Sequence, residues 1–366
     1  MHILMTANVA WNIWNFRKPI VHELLDRGHR VTVLAPPDET VADLEDLGCR
    51  FRPLEMNAKG LSPFEGFKLV GHFKRVFREE VPDVVLSYTI KNNLFGAMAA
   101  KAVGIPFLPN VTGLGTAFLS GGTLEKLAKL LYRNAFRQLP VVFFQNEDDR
   151  DLFVSSGMAS RDQAKLLPGS GIDLDHFHAA DYPHANIPTV FLMIARLLRD
   201  KGVYEFVDAA RQVKRHRPEV RFQLLGATGS ENRTAIGTGI VQAWVDAGIV
   251  EYLGTAPDVR PAISAGSCVV LPSYREGAPR TLIEAAAMAR PLIATDVPGC
   301  RAVVDRDVTG YICRAQDASS LADAITRFLD LPYEKQAEMG RAGRAKMERE
   351  YDQKIVVGAY LEAIQR

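Results

Sequence analysis

The chain has 366 residues, enough for two domains with cores of their own. Its 47% hydrophobic content, 24% charged content and net charge of +1 describe a soluble globular protein and exclude a global basic field for nucleic acid. No run is long and apolar enough to cross a bilayer, and residues 1–5 lead into a strand-like run without the parts of a signal peptide, so the expected location is cytoplasmic.

Residues 2–7, 16–27 and 29–35 read as strand, helix and strand, with Gly28 as the helix stop. Further strand-like runs at 84–88, 107–111 and 141–145 predict a parallel sheet with helices on both faces and one doubly wound domain over 1–168. Ligands of such sheets bind beyond the carboxyl ends of the strands, which directs attention to three loops. The first, 8–17, holds Asn12 and Arg17 but no glycine, so the G-x-G-x-x-G fingerprint of nicotinamide or flavin binding is missing where it would stand. That argues against an oxidoreductase. The second, 88–93, holds Tyr88 and Lys91, and Lys91 is either the partner of an anionic group or a solvated turn residue. The third, 110–115, holds Thr112 and Gly113.

Residues 64–78 and 124–137 are basic and amphipathic, and between residues 59 and 137 eleven Lys or Arg stand against five Asp or Glu. Together with the apolar run 114–119, this excess suits an anionic membrane surface or a polyprenyl diphosphate. The apolar stripes themselves read first as core-facing, with their charges toward water.

A turn-rich junction makes 169–187 the expected hinge, and a second strand–helix alternation fills 188–350. D-x-D occurs at Asp173 and Asp175 and again at Asp305 and Asp307, in turn settings that do not favour a metal pair. Cys49, Cys268, Cys300 and Cys313 form no C-x-x-C pair, and no histidine stands at metal spacing, so reduced structural thiols and no metal are expected.

In the second half the strand 189–196 ends on Arg196, and Lys201 follows in the next loop; a guanidinium fork and an ammonium leaving one strand end suit a diphosphate. Runs at 221–226 and 250–254 end in glycine, and Gly254 serves either a nucleotide's approach or core packing. A β-branched run at 267–272 reads as a buried strand, followed by a loop and a helix that starts at Pro279. Glu276 stands in that loop and Glu284 in that helix. Because a helix N-terminus aims N–H groups and partial positive charge at such a loop, a phosphate fits between the two carboxylates, with a sugar's hydroxyls by Glu276 and a ribose's by Glu284. Spacing alone fits a solvated carboxylate and a capping interaction equally well. Further helices are expected at 321–329, 338–350 and 355–364.

The E-x7-E spacing of Glu276 and Glu284, continued through residues 287–299 and preceded by R-L-x-x-x-K-G at 196–202, resembles the family 4 retaining glycosyltransferases of the GT-B fold. The resemblance implies an α/β protein with two Rossmann-like doubly wound domains facing across a cleft: an acceptor-binding domain over 1–168, a nucleotide-sugar-binding domain over 188–350, and a helix in 351–366 that returns to the first. It implies catalytic roles for Glu276, Arg196 and Lys201, and donor contacts from Gly254, Gly277, Arg280, Thr281, Leu282 and Glu284. Asn12, Arg17, Tyr88, Lys91, Thr112 and Gly113 stand on the acceptor side. Residues 88–93 and 110–115 resemble the Y-T-x-K-x-N and N-x-T-G-L-G stretches of a subgroup that assembles capsular, O-antigen and lipid-linked glycans. That subgroup implies a UDP-sugar donor, an N-acetylhexosamine as the moved sugar, a polyprenyl-diphosphate-linked glycan as acceptor, no cofactor, and a peripheral place on the cytoplasmic face of the inner membrane. The sequence departs from the family at residues 8–17, where many relatives are glycine-rich, and around Thr112, where others place a histidine. The competing readings are a GT-B UDP-sugar 2-epimerase, a retaining transferase that acts on a soluble small-molecule acceptor, and a binding module without turnover.

Overall fold

Runs such as Ile3-Leu4-Met5 and Phe191-Leu192-Met193 have no polar face to offer solvent, and each forms a strand covered on both sides. The computed structural model describes residues 1–56, 63–114, 122–229, 232 and 234–365. The chain falls into two compact units, Met1–Gly171 with Gln353–Arg366, and Ile172–Asp352.

Among the described residues of the first unit, seven parallel strands stand in the order β3-β2-β1-β4-β5-β6-β7: β1 (His2–Thr6), β2 (Arg30–Ala35), β3 (Arg50–Pro53), β4 (Val84–Tyr88), β5 (Phe107–Val111), β6 (Val142–Phe144) and β7 (Ala164–Leu166). Those of the second unit form a six-stranded parallel sheet in the order β10-β9-β8-β11-β12-β13: β8 (Val190–Ile194), β9 (Arg221–Leu225), β10 (Glu251–Tyr252), β11 (Cys268–Leu271), β12 (Leu292–Thr295) and β13 (Gly310–Cys313). Alternate residues of the central strands feed two cores: Phe191, Met193, Cys268 and Val270 on one face, Leu192, Ile194, Val269 and Leu271 on the other. Each unit is therefore a Rossmann-like doubly wound domain, and its winding reverses between β1 and β4 or between β8 and β11. At such a switch point these sheets open a crevice beyond the strand ends.

The first helix, Ala10–Asp26, starts six residues before the expected position, so Asn12 and Arg17 belong to its first two turns rather than to a loop. Ala10, Ile13, Arg17, Ile20, Val21 and Leu24 bury one face at helical spacing, and that burial outweighs the weak helix propensity of asparagine and the aromatic residues. The expected loop 88–93 is also mostly helical. Tyr88 closes β4, Thr89 takes a left-handed φ of 72°, and Asn92–Gly96 forms a π-helical segment that runs into Ala97–Val103. Gly115 and the rest of the apolar run to residue 119 lie outside the described residues.

Residues 172–187, expected within a hinge, belong to the second unit. Ile172 and Phe177 join its core, and the fully buried Arg290 donates to the carbonyls of Ala180 and Asp181. Tyr351 packs in the same core, and the chain leaves this unit only after Asp352. The helix Gln353–Ile364 lies on the first unit, with Val356, Tyr360 and Ile364 in the core beside β1 and β4. The four cysteines are buried free thiols. Asp305 accepts from Lys346, Asp307 from Arg327, and Asp173 from the N–H groups of Asp175 and His176.

Candidate active site

β8 and β11 flank the switch point of the second sheet, and the segments that follow them carry the charged residues. Arg196 is exposed just beyond β8. Lys201 ends the 3-10 turn Arg199–Lys201, which closes on Gly202 with φ of 77°; a Cβ there would stand 2.0 Å from the Pro272 carbonyl, so only glycine lets the two segments meet. The β11 segment is tied to this turn. Tyr274 N–H donates to the Asp200 carbonyl at 2.9 Å, and Ser273 Oγ to the same oxygen at 3.2 Å. Tyr274 OH donates to Glu205 Oε1 at 2.8 Å; burial first, and then this carboxylate, pushes the phenol up to about 12.

On that frame Lys201 Nζ donates to Glu276 Oε1 at 2.5 Å, an ion pair with both side chains largely withdrawn from solvent. The backbone presenting Glu276 is supported from below by Gly299, whose φ is 64° and whose Cβ, if present, would come within 2.5 Å of the Gly277 carbonyl and 2.7 Å of the Glu276 carbonyl.

The helix Arg280–Ala287 begins without a side-chain cap. Glu284 is buried in it, and Arg280 Nε donates to its Oε1 at 2.6 Å. Burial raises the Glu284 carboxyl above its ordinary pKa against the opposing pull of Arg280. Glu284 is thus neither solvated nor a cap. Thr281 Oγ1 donates to the Ile194 carbonyl at 3.1 Å and fastens the first turn to the end of β8. The Leu282 side chain is fully buried and its N–H donates to the Pro279 carbonyl at 3.0 Å. Gly254 has φ of 72° and open space where a Cβ would lie, so it serves a left-handed turn and not core packing.

The site therefore groups Lys201 with Glu276 and Arg280 with Glu284 beside the opening turn of one helix. Cations and first-turn N–H groups of that kind suit a diphosphate, and carboxylates suit hydroxyls. Sequence reasoning singled out these acids and bases as candidates but not their pairing, nor the parts of Gly202, Ser273, Tyr274 and Gly299. Gly299 ends the run 287–299 that continues the E-x7-E spacing, and that was the available signal.

The acceptor-side residues gather at the strand ends of the first unit. Arg17 is buried with its Cζ 4.3 Å from the Tyr88 ring centroid, and Tyr88 is fully enclosed instead of facing solvent. Lys91 is half-buried, and burial lowers its pKa. Thr112 and Gly113 follow β5 directly, both partly exposed.

Two family models match the chain, one described as "Glycosyl transferases group 1" over residues 188–330 and one as "Glycosyl transferase 4-like domain" over residues 14–169. The chain belongs to the family 4 glycosyltransferases. Over its full length this glycosyltransferase is 28% identical to the N,N'-diacetylbacillosaminyl-diphospho-undecaprenol alpha-1,3-N-acetylgalactosaminyltransferase of Campylobacter jejuni, covering 99% of that protein. It is 23% identical to the Escherichia coli UDP-Gal:alpha-D-GlcNAc-diphosphoundecaprenol alpha-1,3-galactosyltransferase, over 74% of this chain and 73% of that protein. Among solved structures, a glycosyltransferase from Rickettsia africae superposes with a TM-score of 0.80 at 17% identity, covering 100% of this chain and 97% of that one. Anabaena HepE in complex with UDP does so with a TM-score of 0.80 at 17% identity, covering both chains completely. These likenesses identify the fold as GT-B.

Proposed function

We propose that this glycosyltransferase takes a UDP-sugar, with an N-acetylhexosamine as the moved sugar, and transfers it with retention to a polyprenyl-diphosphate-linked glycan. The observation that carries the reading is the pair of ionic contacts, Lys201–Glu276 and Arg280–Glu284, set at one helix N-terminus beside the switch point. The activities named for the Campylobacter jejuni and Escherichia coli relatives support these donor and acceptor classes.

In this mechanism the diphosphate lies at the first turn of Arg280–Ala287, where Thr281 N–H, Arg196 and Lys201 face the charge that grows as the bond from the anomeric carbon to the phosphate oxygen breaks. The acceptor hydroxyl forms its bond to the anomeric carbon on the same face, and its proton passes to a leaving phosphate oxygen. No carboxylate nucleophile is required. Glu276 holds hydroxyls of the moving sugar, and Glu284 holds the ribose. The Gly277 amide faces the sugar and Gly254 the base. No metal or other cofactor takes part.

Membrane contact is part of the proposal. The apolar stripes turn Phe73, Phe77, Tyr132 and Phe136 into the core, yet Phe67 is 78% exposed and Leu130 61% exposed, beside the exposed Lys68, Lys126, Arg133 and Arg137. Apolar tips among cations suit the anionic cytoplasmic face of a bilayer.

The test is incubation of purified protein with labelled UDP-, GDP- and ADP-sugars, with and without a short-chain polyprenyl-diphosphate glycan. Acceptor-dependent release of UDP with a labelled glycolipid product is the expected result. Interconversion of the sugar without acceptor would instead make the protein an epimerase.

A further inference from the structure

Arg17 sits in the first unit, on the helix that follows β1, at the β1/β4 switch point. It is 2% exposed, and its Nε and Nη1 meet no hydrogen-bond acceptor among the described residues. A guanidinium offers five donors and no acceptor and is always cationic in a protein, so leaving it buried without an anion is strongly unfavourable. Its neighbours do not supply one. Tyr88 gives only a ring face, and Tyr360 OH accepts from Asn110 Nδ2 at 2.9 Å. Asn92 donates to Thr6 Oγ1 at 2.8 Å and the Ala7 carbonyl at 3.0 Å, and its Oδ1 accepts from Thr89 Oγ1 at 2.9 Å. Among the described residues, Asn8 Oδ1 after β1, Asn12 Oδ1 on the same helix and Asn93 Oδ1 after β4 are buried and meet no partner. An unmet cation, unmet amide oxygens, a left-handed Thr89 and a sheet switch point thus coincide.

We propose that Arg17 is the phosphate-binding residue of the acceptor site, its unpartnered N–H groups donating to the diphosphate that links glycan to lipid. The amide oxygens beside it suit hydroxyls of the adjoining sugar. The assignment rests on the function proposed above, in which the donor's diphosphate is held by the second unit and the acceptor's is the anion left for the first.

Arg17→Met removes the charge while keeping the length and apolar packing of the side chain, and three readings of it are decisive. In thermal unfolding of the ligand-free protein, a cation kept for a ligand leaves Tm unchanged or raised in Arg17→Met, whereas a structural arginine lowers it. In a titration with inorganic pyrophosphate at saturating UDP, followed by the fluorescence of Trp11 and Trp14 on the same helix, wild type gives a saturable change. Arg17→Met weakens that binding by roughly tenfold or more, with Arg17→Lys between the two. In transfer assays KM for a short-chain polyprenyl-diphosphate sugar rises by a similar factor, KM for the donor is unchanged, and an uncharged alkyl-glycoside acceptor is used equally by both proteins.

Equal pyrophosphate affinity in wild type and Arg17→Met, no saturable response in wild type, or a Tm lowered by several degrees overturns the site. Loss of pyrophosphate binding without any change in acceptor KM overturns the acceptor assignment and leaves a site for free phosphate. A wild-type protein that binds pyrophosphate through Arg17 but glycosylates no phosphate-bearing acceptor removes the proposed function instead, so the two failures are distinct.

Discussion

Lys201 Nζ lies 2.5 Å from Glu276 Oε1 although 75 residues separate them in the chain. The cation assigned to the diphosphate is therefore held, in the ligand-free protein, by the acid assigned to the sugar. A bound donor competes for both. Glu276→Gln releases Lys201 and removes a negative charge from the diphosphate site, so UDP should bind about fivefold tighter, the scale of a partly exposed ion pair. Acceptor-dependent turnover should fall by roughly 10²–10³, because the contact to the reacting sugar is gone. Calorimetric titration with UDP and initial rates of UDP release measure the two effects. Near-normal turnover would defeat the role of Glu276.

Glu284 gives a pH signature. Burial raises its carboxyl above the ordinary value of 4.5. A carboxyl with a folded pKa above its unfolded one favours the folded state when protonated, so its unfavourable contribution is present at neutral pH and vanishes as pH falls below the ordinary value. Glu284→Gln should raise the Tm of ligand-free protein at pH 7, change it little near pH 4, and weaken UDP binding roughly tenfold. Scanning calorimetry at the two pH values checks the sign, and a lower Tm at pH 7 would contradict it.

Gly299 and Gly254 both have left-handed backbones, but only Gly299 lies against the carbonyls of Glu276 and Gly277. Gly254→Ala should cost about 1–2 kcal/mol of stability and no more. Gly299→Ala carries the strain of its own positive φ and also displaces Glu276, which should lower turnover by roughly a hundredfold. Melting curves and UDP-release rates for the two variants separate the effects; equal rates would mean that Gly299 does not position the loop.

Leu127 and Leu130 are exposed on the helix Gly122–Phe136. Changing both to serine should reduce co-sedimentation with vesicles rich in anionic lipid while leaving transfer to a detergent-solubilised acceptor intact. Raising salt should weaken the remaining binding, since its electrostatic part is screened over about 10 Å at 0.1 M. Unaltered sedimentation of the variant would exclude this surface.

The central strands were legible because a strand buried on both faces has no polar positions to blur it: β4 and β5 match their expected bounds residue for residue. The start of the first helix was not, because Asn12, Trp14 and Asn15 are poor helix formers and only packing against the sheet places them in one. At the site, residue types and spacing singled out Glu276, Glu284, Arg196 and Lys201 as candidates. Which acid pairs with which base depends on where β8 and β11 lie side by side, and spacing does not carry that. Arg17 stood in the sequence as one acceptor-side candidate after the first strand, without its burial on Tyr88, which is a tertiary fact.

A crystal structure with UDP bound would decide where the donor lies. That structure should show the diphosphate at the first turn of Arg280–Ala287, the ribose on Glu284, and Lys201 turned toward phosphate. UDP elsewhere, or an empty site at saturating UDP, would contradict this placement.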